Sequence, residues 1–211
     1  VKIDLHVHTT FSPDSSISPK ALPRIARRVG LDGVAITDHN SVRARRLGRM
    51  PGMVVIYGVE VSTSAGHIIV YGAEEEIPRG ISPEELLDYC REHALPAVAP
   101  HPYRISTGIG HLAFELTFTA VETLNGGSPE WQNRRAQRRA DALGLPCTGG
   151  SDAHRPCEVG RAYTVVEGDD PLDAILKGRV RPAGRGLTLM SSLKKGMKTT
   201  FEWAARGFKH I

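Results

Sequence analysis

Short runs of β-branched and small apolar residues recur along the chain, separated by stretches with helical spacing. Lys2–Val7, Leu31–Thr37, Met53–Val59, Gly66–Tyr71, Leu95–Ala99, Phe118–Leu124, Leu145–Gly150 and Ala162–Val166 each predict a strand. Pro19–Val29, stopped by Gly30, predicts a helix. Ser82-Pro83-Glu84-Glu85 combines a serine cap, a proline at the first helical position and an acidic first turn, so a second helix should run to about His93. Ser128-Pro129-Glu130 reads as another capped start, ending near Leu143-Gly144, and Asp170-Pro171-Leu172 opens a short helix. Arg43, Arg45, Arg46 and Arg49 read as the solvated face of a further short helix. Strands alternating with helices over about seven units predict an α/β fold with a mostly parallel sheet, closed or nearly closed into a barrel.

Residues 1–190 read as one domain, because 211 residues suffice for one sizeable core. The tail, 191–211, is separable. Leu193, Met197, Phe201, Ala204, Phe208 and Ile211 form a helical stripe that predicts packing on the barrel or on a sister subunit, with membrane surface or nucleic acid as alternatives. The formal net charge of +4 is confined to this tail, since the remainder holds equal numbers of basic and acidic side chains. That argues against a protein coated in nucleic acid, and aromatics at 6% leave few base-stacking platforms. No apolar run reaches the ~18 residues of a membrane span, and no secretory leader is read at the start. The three cysteines include no CxxC pair, so neither a disulfide framework nor a zinc ribbon is expected, and a reducing cytoplasm is the expected location. Cys147 and Cys157 read as small buried residues.

The candidate chemistry begins at Asp4-Leu5-His6-Val7-His8. Side chains alternate along a strand, so His6 and His8 share a face and form a chelating pair. Partners follow further strands: Thr37-Asp38-His39, Glu60, His101-Pro102 and Ser151-Asp152-Ala153-His154. Ligands at strand ends are where a β/α barrel builds its active site. Imidazole with carboxylate and no thiolate suits Zn, Mn or Fe.

The ordered set HxH, TDH, a strand-ending Glu, HP and SDAH resembles the PHP family of polymerase and histidinol phosphatase metal-dependent hydrolases, from Val1 to about Lys177. The resemblance implies a distorted (β/α)7 TIM-like barrel with the metal cluster at the C-terminal ends of the strands. It implies two to three divalent ions: one on His6, His8, Glu60 and Asp152, a second on Glu60 and His101, a third on Asp14, His39 and His154, with Glu60 as the bridge. One position departs from the pattern, since Asn125 stands where many members supply a histidine or cysteine. Asp38 is expected to accept a hydrogen bond from a ligand imidazole. The implied activity is phosphoester hydrolysis by a metal-activated hydroxide, with Asp152 and His154 essential, Arg104 and Arg161 holding phosphoryl oxygens, and His67 in substrate contact or proton transfer. His111 is a candidate to line the pocket from the long loop Ile105–Leu116. The expected substrate is a phosphorylated small molecule or a nucleotide. Alternatives are a nuclease or oligonucleotide 3′-end phosphodiesterase, histidinol phosphate phosphatase, and a non-catalytic polymerase-accessory module.

Overall fold

The first strand, β1 (Lys2–Val7), is buried except for its first residue and has neighbours on both sides. In this computed structural model, which describes residues 1–188, it pairs in parallel with β2 (Gly33–Ile36) and antiparallel with β8 (Ala162–Val166). The tail expected over 191–211 lies outside the described residues. The sheet continues through β3 (Val54–Ser62), β4 (His67–Tyr71), β5 (Ala97–Ala99), β6 (Ala120–Asn125) and β7 (Cys147–Gly150). A last strand, β9 (Val180–Gly184), pairs with β8. The ring nearly closes where the segment after β7 returns to β1: Asp152 N–H donates to His6 O at 2.7 Å and His8 N–H to Ala153 O at 3.0 Å.

The barrel-like closure is as expected, but the sheet is not mostly parallel. β1–β2, β2–β3, β5–β6 and β6–β7 are parallel, whereas β3–β4, β4–β5, β1–β8 and β8–β9 are antiparallel. For β3–β4 the reason lies in the connection. Only residues 63–66 join β3 to β4, too few for the crossover that a parallel pair needs. β9 gave no apolar signal because its sequence is Val-Arg-Pro-Ala-Gly, the composition of an edge strand.

Ile3, Leu5, Ala35, Ile56, Ile69 and Val98, from five strands, form one buried cluster, which is what the interior of a closed sheet requires. The helices cover the outside. α1 (Leu22–Val29), stopped by Gly30 at φ 74°, packs Leu22, Ile25 and Ala26 on Val34 and Ile36. α2 (Pro83–Glu92) carries the expected capping box between Ser82 and Glu85 and covers β3 and β4 with Leu86, Leu87 and Cys90. α3 (Glu130–Leu143) starts as expected, but Pro129 occupies the cap position and Ser128 gives no cap; its hydroxyl is engaged by Arg104. α4 (Pro171–Leu176) is capped by Asp170. Cys157 is exposed and Cys147 half-buried, so the expectation that both are buried fails. No helix among the described residues is long and apolar enough to cross a membrane.

Candidate metal centre

Polar residues take over from the apolar cluster at one end of the barrel. His6, in β1, and His8, just past its end, stand two residues apart and turn the same way, with their Nε2 atoms 3.1 Å apart. Glu60 lies inside β3, two residues before its end, and its backbone bonds to Asp38 and Asn40 draw His39 alongside. His101 follows β5, and Asp152 and His154 follow β7. His101 (φ 30°) and Asp152 (φ 53°) both adopt a left-handed backbone that non-glycine residues rarely accept, strain of the kind that collects at functional sites.

Glu60 is the centre of the group. Its Oε2 lies 3.0 Å from His39 Nδ1, 3.2 Å from His8 Nε2 and 3.5 Å from His6 Nε2. Its Oε1 lies 3.0 Å from both His67 Nδ1 and His101 Nε2. Asp152 Oδ1 stands 3.3 Å from His8 Nε2 and 3.5 Å from His6 Nε2. Asp14 Oδ2 closes the outer side, 3.1 Å from His154 Nε2 and 3.7 Å from His39 Nε2. Four sets of three donors each lie within 4.8 Å of one another: His8, His39 and His154; His6, His8 and Glu60; His6, His101 and Asp152; His39, Glu60 and His67. All eight expected ligand residues therefore meet in one place, and His67 joins them.

The donor set fits divalent cations. Buried Glu60 Oε2, Asp14 Oδ1, Asp152 Oδ2 and His101 Nδ1 have no hydrogen-bond partner among the described residues, an expensive arrangement unless ions complete it. The imidazoles are also pre-aimed. His6 Nδ1–H donates to buried Glu122 Oε1 at 3.1 Å, leaving Nε2 for the cluster. His8 Nδ1–H donates to Ser12 Oγ at 3.2 Å, and Ser12 donates onward to Asp38 Oδ1 at 2.8 Å. Asp38 thus orients a ligand imidazole through Ser12 rather than directly; its remaining capacity holds Thr9.

Residues 4–122 match the PHP domain family, and residues 130–180 match the PHP-associated family. The chain belongs to the PHP domain family. An uncharacterized protein of Methanocaldococcus jannaschii is 37% identical over 140 residues, covering 59% of this chain and 82% of that one. Phosphoribosyl 1,2-cyclic phosphate 1,2-diphosphodiesterase of Eggerthella lenta is 36% identical over 85 residues, 36% of this chain and 32% of that enzyme. In fold, the chain is similar to a two-domain protein of Bacteroides vulgatus containing a predicted PHP-like metal-dependent phosphoesterase. The TM-score is 0.68 at 19% identity, over 88% of this chain and 65% of that one.

Without ions, the PHP centre holds its charge as protons. Burial lowers the His39 pKa, but Glu60 and Asp14 outweigh it and raise it to about 10. Burial likewise opposes protonation of His6, yet Glu122, Asp152 and Glu60 hold it well above the usual imidazole value, and His154 is raised by Asp14 and Asp152. His8 is lowered by burial and by His154 and His39; His101 falls to about 3 through burial and the Arg104 charge. Against burial, neighbouring imidazoles keep Glu60 and Asp14 ionised far below the usual carboxylate range, and Arg104 and His6 do so for Asp152.

Two buried carboxylates of this PHP chain escaped sequence reasoning. Glu122 sits unheralded in the run Ala-Val-Glu-Thr-Leu-Asn; a single acid inside a buried strand is its only signal. Asp4 clamps the segment carrying Asp152 and His154, accepting from Ser151 N at 2.8 Å and Gly160 N at 2.8 Å. Arg104 reaches the centre, its Nη2 2.5 Å from Asp152 Oδ2. Arg161 donates Nη1 to Gly126 O at 3.1 Å rather than to a residue of the cluster. His111 is 77% exposed and pairs with Glu115, so it does not line the site.

Proposed function

We propose that this PHP chain hydrolyses a phosphoester, a small-molecule phosphomonoester or a nucleotide, at a centre of two or three Zn, Mn or Fe ions. Buried Glu60 carries the proposal: its two oxygens face two different sets of imidazoles, the arrangement by which one carboxylate serves two ions. His6, His8, Glu60 and Asp152 would hold one ion, Glu60 and His101 a second, and Asp14, His39 and His154 a third. Bound divalent ions supply a lower pKa for coordinated water and charge neutralisation for phosphoryl oxygens.

The chain's own residues supply the rest. Arg104 has Nη1 free of partners among the described residues, with two hydrogens to offer a phosphoryl group. Arg161 is the outer grip, steadied on Gly126. His67 is 16% exposed and bonded through Nδ1 to Glu60, so its Nε2 can deliver a proton to the leaving oxygen.

The test is turnover of a phosphoester panel by protein whose ions have been counted. Phosphate release from a chromogenic monoester or a nucleotide, lost on chelation and restored by Mn, Zn or Fe, is the expected result. Asp152→Ala and His154→Ala should abolish it in folded protein; full activity of either refutes the roles. The likeness to a cyclic-phosphate diesterase favours a second reading, cleavage of a diester, which a chromogenic diester in the same panel distinguishes. A nucleic-acid substrate is not favoured, and turnover of short single strands above all other substrates would overturn that ranking.

A further inference from the structure

The hydrogen bonds of Asn125 fix both its orientation and its role. Its Nδ2 donates to Glu122 Oε2 at 2.8 Å; its Oδ1 accepts from Arg104 Nη2 at 2.7 Å and from Gly127 N–H at 2.9 Å. A carboxylate only accepts, and a guanidinium and a backbone N–H only donate, so the amide has one consistent orientation. Both lone pairs of Oδ1 are then spent. Asn125 is fully buried and has nothing left to offer an ion.

The same contacts place Arg104. Nη2 carries two hydrogens, one on Asn125 Oδ1 and the other on Ser128 Oγ at 3.1 Å. Asp152 Oδ2, 2.5 Å from Nη2, meets the same nitrogen as an ion pair. The guanidinium is thus held through Nη2 against the centre, with Nη1 and its two hydrogens uncommitted. We infer that Asn125, with Ser128, is a positioning residue that aims Nη1 of Arg104 at a phosphoryl group over the centre, and that Asn125 is not a metal ligand. The inference rests on the phosphoester reading above and makes phosphate affinity, rather than metal affinity, the property that Asn125 sets.

Inorganic phosphate titrated calorimetrically into Mn-loaded protein tests this, with ions per chain counted on the same samples. Asn125→Ala should weaken phosphate about tenfold, as loss of a hydrogen bond to a charged group does, with the ion count unchanged. Ser128→Ala, which removes one hydroxyl, should weaken it about threefold and decides the matter if Asn125→Ala fails to fold. In an Arg104→Ala background, Asn125→Ala should add nothing, because its effect runs through the missing guanidinium. With a substrate, KM should rise while kcat stays within about threefold, since binding rather than chemistry is lost. Loss of an ion in Asn125→Ala, unchanged phosphate affinity in both variants, a full further loss in the Arg104→Ala background, or no phosphate binding by the unaltered protein would overturn the inference. Absence of turnover on every phosphoester would instead defeat the functional reading, while the phosphate titration still decides the role of Asn125.

Discussion

Glu122→Gln separates the support of the metal centre from its ligands. Three donors converge on the Glu122 carboxylate: His6 Nδ1 at 3.1 Å, His101 N–H at 3.0 Å and Asn125 Nδ2 at 2.8 Å. A glutamine of the same size has one accepting oxygen, so its NH2 must face at least one of these donors at hydrogen-bond distance. The site is buried, leaving no water to relieve the conflict. Losing one charge-assisted hydrogen bond costs about 1.5–3 kcal/mol. Because the partner is the imidazole that directs Nε2 into the cluster, the loss should fall on metal affinity, by about 10- to 100-fold. Competition against a chromophoric chelator measures it, and a melting curve of the metal-free protein separates affinity from folding. Metal affinity within about twofold of the unaltered protein would refute the argument that Glu122 orients His6.

Other substitutions and conditions probe the same construction. Ser12→Ala removes the acceptor for His8 Nδ1–H and should weaken metal binding about tenfold by the same chelator competition, while Ser12→Thr should restore most of it. Gly150→Ala would place a Cβ 2.4 Å from His6 Cβ and 2.6 Å from Glu122 Oε1, so chemical denaturation should show a loss of about 2 kcal/mol or more. His39, raised to about 10, stabilises the metal-free protein fully below its ordinary 6.5 and loses that contribution as pH rises through about 10. Asp14, Glu60 and Asp152, all depressed, stabilise above the ordinary carboxylate range and lose it in acid. Metal-free protein should therefore melt highest between about pH 5 and 7. Because His6 and His39 are held protonated, ion uptake at neutral pH should release protons, read by calorimetry in buffers of different ionisation enthalpy; identical heats in all buffers would contradict this.

The residues of the cluster were legible in the sequence because most stand in a short motif at the end of an apolar run, so strand position and residue type agree. The capping box of α2 and the glycine stop of α1 were legible for the same local reason. The antiparallel direction of β3–β4 and the presence of β9 were not read, since the short connection sets the first and an edge strand carries no apolar pattern. Glu122, Asp4 and Ser12 went unseen because they act across the barrel, on partners 116, 147 and 26 residues away. Asn125 could be recognised as a departure from the family pattern, but its hydrogen bonds with Arg104 and Glu122 appear only once the strands close.

The central claim is a multinuclear, Glu60-bridged centre that cleaves phosphoesters. Ions bound per chain and phosphoester turnover, measured on the same preparations of the unaltered protein and Glu60→Gln, test it most directly. The account predicts at least two ions with turnover in the first, and at most one ion with turnover lost in the second. One ion or none in the unaltered protein, or undiminished turnover in Glu60→Gln, would contradict it.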